Sequence, residues 1–232
     1  MKLALMQPYL FPYIGYFQLV AAADKFVFYD DVNFIKNGWI NRNRLLLDGD
    51  IRYITVPLAG ASPAKKINEV LIEPRERWLR KLLESIRHAY AKAPHYQRVS
   101  ELIHEILHVD ATHVSQIASR GVIEISRYLD LGTTFAMTST VYRNSELKGA
   151  QRVLDICAQE RASTYLNLPG GRALYDAEEF AAAGIDLSYI DPNLGPYPQF
   201  GKTFHPGLSI IDVLMFNSVD QIKAMLHRRP GA

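Results

Sequence analysis

The chain has a single cysteine in 232 residues. An internal disulfide is therefore excluded, and so is every Cys-x-x-Cys metal spacing. Cys157 lies in Val153-Leu154-Asp155-Ile156-Cys157-Ala158, a helical pattern that reads as a buried structural thiol rather than a nucleophile. No apolar run approaches the ~20 residues that a membrane-spanning helix needs. The first six residues carry one charge and too short an apolar stretch for a secretory signal. Together these features predict a soluble, cytoplasmic protein. Neither sign of charge is in excess: 26 basic side chains face 24 acidic ones, for a formal net charge of +2. That balance argues against a general polyanion or nucleic-acid binder and leaves open only a local basic patch. Solenoid repeats, low-complexity tracts, a Walker A loop and a G-x-G-x-x-G run are also missing, so ATP or NAD use has no motif behind it and no cofactor is named.

What is present is concentrated at the start. Gln7-Pro8-Tyr9-Leu10-Phe11-Pro12-Tyr13-Ile14-Gly15-Tyr16-Phe17 holds two prolines, one glycine and five aromatics in eleven residues. The prolines fix φ and remove donors, which makes a stiff turn rather than a helix. Gly15 lets the backbone approach something closely or opens the next helix. The segment follows the apolar run Leu3–Met6, which reads as a strand. A rigid, ring-lined loop after a first strand is where an α/β protein places a ligand; the other reading is a hydrophobic plug on the core.

Alternating patterns organise the rest. Ile14–Ala23 reads as a helix and Phe26–Tyr29 as a strand. Trp39–Leu47 and Ile51–Leu58 read as strands joined at Asp48-Gly49-Asp50, and Ile67–Ile72 as another. Arg75–Tyr90, Val99–Leu107 and Ala111–Leu129 form a helical block, the last helix capped by Asp110. Strands at Thr133–Met137, Thr164–Leu166 and Leu187–Ile190 then alternate with helices at Ala150–Arg161 and Ala177–Ala183. Two helices close the chain, Ser209–Met215 and Val219–His227. The prediction is an α/β fold: a mainly parallel sheet flanked by helices, with a helical block in the middle. It is expected as one unit, divisible into an N-terminal α/β part (1–73), the block (74–131) and a C-terminal α/β part (132–232).

A second unusual segment runs from Tyr29 to Arg44. Asp30 and Asp31 end an apolar strand, the edge at which parallel sheets build sites. If the following segment is extended, Trp39, Asn41 and Asn43 point one way and Ile40, Arg42 and Arg44 the other. Asparagines and arginines in alternation, with Lys36 before them, offer donors to an anionic substrate. The competing reading is a solvated edge strand paired with the aspartates. The carboxylates could serve as acid, base, metal ligand or orienter.

Further on, His104-Glu105-Ile106-Leu107-His108 matches the H-E-x-x-H zinc-hydrolase pattern. However, the helical wheel puts both histidines opposite the buried stripe of Val99, Leu102, Ile103, Ile106 and Leu107. Gly170-Gly171-Arg172 after a strand could cradle a phosphate or simply form a turn. His205-Pro206-Gly207 leads into an apolar helix that Ser209 and Asp212 could cap.

The opening motif Gln-Pro-Tyr-x-Phe-Pro-x-x-Gly-Tyr-Phe, then Asp24, Tyr-Asp-Asp-Val-x-Phe and Trp-Ile-Asn-Arg-Asn-Arg, closely resembles the WbqC-like family of bacterial proteins. Thr55-Val56-Pro57-Leu58, Leu131-Gly132, Tyr165-Leu166-Asn167 with Gly170-Gly171, Tyr197-Pro198-Gln199 and Phe204–Asp212 match its later landmarks. The run Asn167-Leu168-Pro169 departs from the shorter, glycine-containing run of many members. The resemblance implies a role in surface polysaccharide (O-antigen) synthesis and a group transferase, with glycyl transfer to a sugar suggested. Its substrates would be an activated amino sugar, such as a nucleotide sugar, and an acyl donor. On that reading Asp30, Asp31 and His205 are candidate catalytic groups. Gln7, Tyr9, Gly15, Tyr16, Lys36, Trp39, Asn41, Arg42, Asn43, Arg44, Gly170, Gly171, Tyr197 and Gln199 are candidate substrate contacts, and no metal ligand is assigned. A non-catalytic module that binds a glycan precursor is the alternative; nucleotidyl transfer and zinc hydrolysis stand behind it.

Overall fold

A computed structural model describes residues 1–227. The strands are β1 (Lys2–Met6), β2 (Lys25–Phe28), β3 (Arg42–Leu47), β4 (Asp50–Thr55), β5 (Leu58–Ala59), β6 (Leu71–Ile72), β7 (Thr134–Ala136), β8 (Thr164–Asn167) and β9 (Asp186–Tyr189). The helices are α1 (Ile14–Ala22), α2 (Leu79–Tyr90), α3 (Tyr96–Leu107), α4 (Val114–Tyr128), α5 (Gly149–Gln159), α6 (Ala177–Ala182), α7 (Ile210–Phe216) and α8 (Val219–His227).

Five strands form one sheet in the order β7-β2-β1-β8-β9. Every pairing in it is parallel, from Leu3 opposite Lys25 to Asn167 opposite Tyr189. The mainly parallel α/β sheet expected from the alternating pattern is therefore what forms, and strands from both ends of the chain share it. The period of two along each strand divides the side chains between two faces. Ala4, Phe26, Phe28 and Leu166 pack with α1, the helical block, α7 and α8. Leu3, Leu5, Val27 and Tyr165 pack with α5 and α6. After β7 the chain crosses to the second face and returns through β8 on the free side of β1. The loops after β1 and β8 thus leave toward opposite faces, the topology at which open parallel sheets place ligands outside the carboxyl ends of their strands.

Some local expectations differ: the strand predicted over Ile51–Leu58 ends at Thr55, and Leu58–Ala59 pairs separately with β6. The strand predicted at Trp39–Leu47 begins only at Arg42, because Asn37 turns the chain with φ of 63°. Arg42 then donates to the Asn37 and Gly38 carbonyls, stabilising that turn. This hairpin of β3 and β4 stands apart from the main sheet. The strand predicted at Ile67–Ile72 is a 3-10 turn over Ile67–Glu69 followed by the short β6. There the Glu69 carboxylate accepts from the Lys66 amide at 2.9 Å and favours the turn. The helix predicted from Ala111 starts at Val114 instead, and Asp110 does not cap it. The Gln116 side chain takes the Thr112 and His113 amides at 2.9 and 3.0 Å, so His113 is the cap position.

Candidate functional site at the carboxyl edge of the sheet

The loop after β1 is held from three directions. Phe11 has φ of 43°, a strained value for a bulky side chain that persists only where its surroundings fix it. The Asn43 amide donates to the Leu10 and Phe11 carbonyls at 2.9 and 2.8 Å, and the Ser209 hydroxyl to the Phe11 carbonyl at 2.8 Å. The Leu10 amide donates to the Trp39 carbonyl, and the Ile210 amide to the Pro12 carbonyl. The opening loop, the hairpin and the closing helix therefore meet here, at a buried junction. Asn43 is buried in it. Tyr16 is buried in the core with its hydroxyl on the Gln7 carbonyl at 2.9 Å, so its ring faces no solvent. Tyr9 is half-buried against Tyr16, and burial raises both phenols above their ordinary pKa. At Gly15 a Cβ would meet Tyr13 at 2.4 Å and Pro192 at 2.7 Å, so glycine is what lets the segment after β9 close over α1.

Asp30 and Asp31 follow β2 and are both buried, yet their surroundings differ. Asp31 forms an ion pair with Arg152 of α5, in which both side chains are 4% exposed. Arg152 also donates to the Asn144 side chain at 3.0 Å and lies over the Tyr29 ring, while Asn144 donates to Asp155. The charge of Asp31 is thus spent on holding α5 to the sheet. Asp30 has no such cation. Its Oδ1 accepts from the Thr138 hydroxyl at 2.7 Å and the Ser139 amide at 3.1 Å, while the Ser139 hydroxyl donates to Asp31 Oδ1. None of these donors engages Oδ2. Burial pushes the Asp30 carboxyl above its ordinary pKa, and the bonds from Thr138 and Ser139 offset that only in part.

Two strands away, β8 ends at the buried Asn167. A Cβ on Gly171 would meet the Asn167 amide at 2.4 Å, and the Gly171 amide donates to the Leu168 carbonyl. Gly171 therefore accommodates protein, whereas Gly170 is exposed with open space around it. Arg172 pairs with Asp191 after β9 at 3.2 Å and lies over Tyr189, exposed on the rim. Just past the end of the neighbouring β1, the Gln7 Oε1 is buried without a partner among the described residues.

The remaining candidates gather away from this edge. On the hairpin, Arg42 lies over Tyr53, Tyr53 stacks on Trp39, and Arg44 lies over Trp39. Asn41 is half-buried and donates to the Val56 carbonyl, while Lys36 is exposed on the preceding turn. Arg44 also donates to the Gly207 carbonyl at 2.9 Å. Tyr197 and Gln199 converge on the fully buried Asp212, donating to Oδ1 at 2.8 Å each, with Tyr90 donating to Oδ2 at 2.7 Å. Gln199 accepts from the His205 amide and donates to the His205 carbonyl. Burial raises the Asp212 carboxyl above its ordinary pKa; these hydrogen bonds and the nearby His205 oppose it. Tyr197, Gln199 and His205 thus tie down the irregular segment between β9 and α7. The cavity beneath it, near Ile14 and Leu208, is about 30 Å³, room for a water and no more.

His104 and His108 are exposed, as the wheel places them, and stack on each other at 3.6 Å. They line a groove of about 660 Å³ between α2 and α3, remote in the chain from the carboxyl edge. Among the described residues no group of three His, Cys, Asp or Glu side chains is placed to hold a metal. Cys157 is fully buried, and burial pushes its thiol up to about 12.

Sequence reasoning missed Thr138, Ser139, Arg152 and Tyr90. Signals existed for the first three. Thr138-Ser139-Thr140 is a hydroxyl run directly after a strand, and Arg152 falls on the buried stripe of α5 beside Val153 and Ile156, where a cation needs a carboxylate.

No helix among the described residues is long and apolar enough to cross a membrane. No solved structure matches the chain. It is 31% identical over 219 residues to an uncharacterized protein of Mycobacterium tuberculosis, Rv1507c, covering 93% of both chains. The family model described as the WbqC-like protein family matches residues 7–224. The polar edge just described, from Gln7 to Asp191, lies wholly inside that match, and the chain belongs to the WbqC-like protein family.

Proposed function

We propose that this protein is a group transferase that moves an acyl group, of aminoacyl or glycyl type, onto the amine of an activated amino sugar in surface polysaccharide synthesis. The observation that carries the reading is Asp30: a buried carboxyl with a raised pKa, no cationic partner and one oxygen unengaged, at the carboxyl edge of a parallel sheet. A carboxylate in such a setting, more basic than an exposed one, can serve as a general base. The sugar's amine attacks the acyl carbonyl of a thioester or other activated acyl donor and a C–N bond forms. The donor's leaving group departs with its electron pair, and Asp30 takes the proton that the amine sheds. The unpartnered Gln7 Oε1, just past the end of β1, is a further acceptor at the same edge. Arg172, exposed on the rim and shared with Asp191, and the open backbone at Gly170 suit a phosphate at the edge beside β8.

The second reading, a binding module for a glycan precursor, is favoured by the exposed Trp39 and Tyr53 of the hairpin and the half-buried arginines stacked on them. Incubation with nucleotide-linked amino sugars and acyl thioesters, followed by mass spectrometry of the sugar, separates the two. Transfer predicts a mass gain that Asp30→Asn abolishes. A ligand that raises the unfolding midpoint with no mass gain under any donor supports the module instead.

A further inference from the structure

We propose that the outer face of the β3–β4 hairpin docks the protein onto an anionic lipid bilayer. Four large apolar side chains are exposed there: Ile35 (52%), Trp39 (37%), Ile51 (42%) and Tyr53 (53%). They form one surface. Ile35 abuts Gly38 through the turn, Trp39 stacks on Tyr53 at 6.4 Å, and Ile51 lies two residues from Tyr53 on the same strand face. A contiguous apolar patch of this kind marks an interaction site.

The charge around it is lopsided. Residues 32–66 hold six basic side chains and two acidic ones, whereas the whole chain has a net charge of only +2, so the remainder is net negative. Asp50 is already neutralised by Arg52 at 3.0 Å. Among the described residues, Lys36, Arg42, Arg44, Lys65 and Lys66 have no carboxylate partner. Lys65 and Lys66 are brought against the segment that leads into Lys36, because the Phe34 amide donates to the Lys65 carbonyl and Asn33 bridges to Lys66. The faces of the Trp39 and Tyr53 rings are partly covered by Arg44 and Arg42, at 5.3 and 4.7 Å. The stack is therefore a preorganised slab of two rings and two half-buried guanidiniums held on backbone carbonyls, with the exposed Lys36 on the turn before it.

This combination selects its occupant. A soluble polyanion would engage the cations and leave four apolar side chains wet. A second copy meeting this face by two-fold symmetry would set the cations against one another. An anionic bilayer uses both: tryptophan and tyrosine sit at the headgroup level, the isoleucines reach below it, and the lysines meet the anionic headgroups while the arginines add positive potential behind the rings.

The test is co-sedimentation of the full chain with phosphatidylcholine vesicles, with or without about one third phosphatidylglycerol, at low and high salt. Each cation near such a surface contributes roughly fivefold to partitioning, so binding to the anionic vesicles is expected to exceed binding to the neutral ones by at least about tenfold and to collapse at high salt. Ile35→Ser/Ile51→Ser, at exposed positions, should lower it about tenfold with an unchanged unfolding midpoint. Lys65→Gln/Lys66→Gln should lower it similarly and stands in if the first variant does not fold. The proposal is overturned by equal binding to both vesicle types or by wild-type binding of the serine variant. A dimer in sedimentation velocity that the serine variant dissociates would likewise overturn it in favour of self-association.

Discussion

Asn43 is the test of how the opening loop is held. Asn43→Ala removes donors from the Leu10 and Phe11 carbonyls and the acceptor of the Arg44 amide at 2.8 Å, all in a buried setting. The Phe11 carbonyl keeps the Ser209 hydroxyl, which softens the loss. A buried polar group left unsatisfied costs about 1–3 kcal/mol, so about 3 kcal/mol is expected in total. For a chain of this size that lowers the unfolding midpoint by roughly 6–12 °C. Asn43→Asp is the sharper variant. It keeps the shape but brings a carboxylate oxygen against two carbonyl oxygens with no proton between them, so it should destabilise more than alanine does. Urea unfolding of the three proteins measures both effects. If alanine lies within about 0.5 kcal/mol of wild type, or aspartate is tolerated as well as alanine, Asn43 is not the staple of this loop.

Three further outcomes follow from the buried groups. Arg152→Met strands the Asp31 carboxylate and should cost about 3–5 kcal/mol in urea unfolding, while Arg152→Met/Asp31→Asn should cost less than the two single changes added together. Because burial raises the Asp30 carboxyl, the folded protein binds more protons than the unfolded chain between the ordinary value of 3.8 and the raised one. That contribution is fully present below 3.8 and is lost as pH rises through the folded pKa. Asp30→Asn should therefore gain stability relative to wild type as pH is raised through that window, and a difference that stays constant with pH would contradict the assignment. The Cys157 thiol, buried and pushed up to about 12, should resist alkylation in the native protein and react on unfolding in urea.

The parallel sheet was legible because its strands are short apolar runs separated by helical periods, as at Leu3–Met6, Phe26–Phe28 and Thr164–Leu166. Helix positions followed from the buried stripes of α2 and α3. The hairpin was legible as a hairpin from Asp48-Gly49-Asp50, but its separation from the main sheet was not, since periodicity says nothing about which strand a strand pairs with. Alternation also misread the asparagines. Asn43 faces inward to cap carbonyls, while Trp39 lies in the turn before the strand and stays exposed. The adjacent aspartates looked interchangeable in sequence. Their difference depends on Arg152 and on Thr138 and Ser139, more than a hundred residues further along, brought beside them by α5 and β7. Asp212 read as a helix cap, whereas three side chains converging on it make it the anchor of the segment before α7.

On the proposed reading these two aspartates do different work: Asp31 holds α5 to the sheet and Asp30 acts as the base. The measurement that reaches it most directly is the acyl-transfer rate of Asp30→Asn, taken on protein whose unfolding midpoint at neutral pH matches or exceeds that of wild type. Loss of a general base predicts a fall of about 10²–10⁴-fold. A rate within about threefold of wild type on such folded protein would contradict the claim.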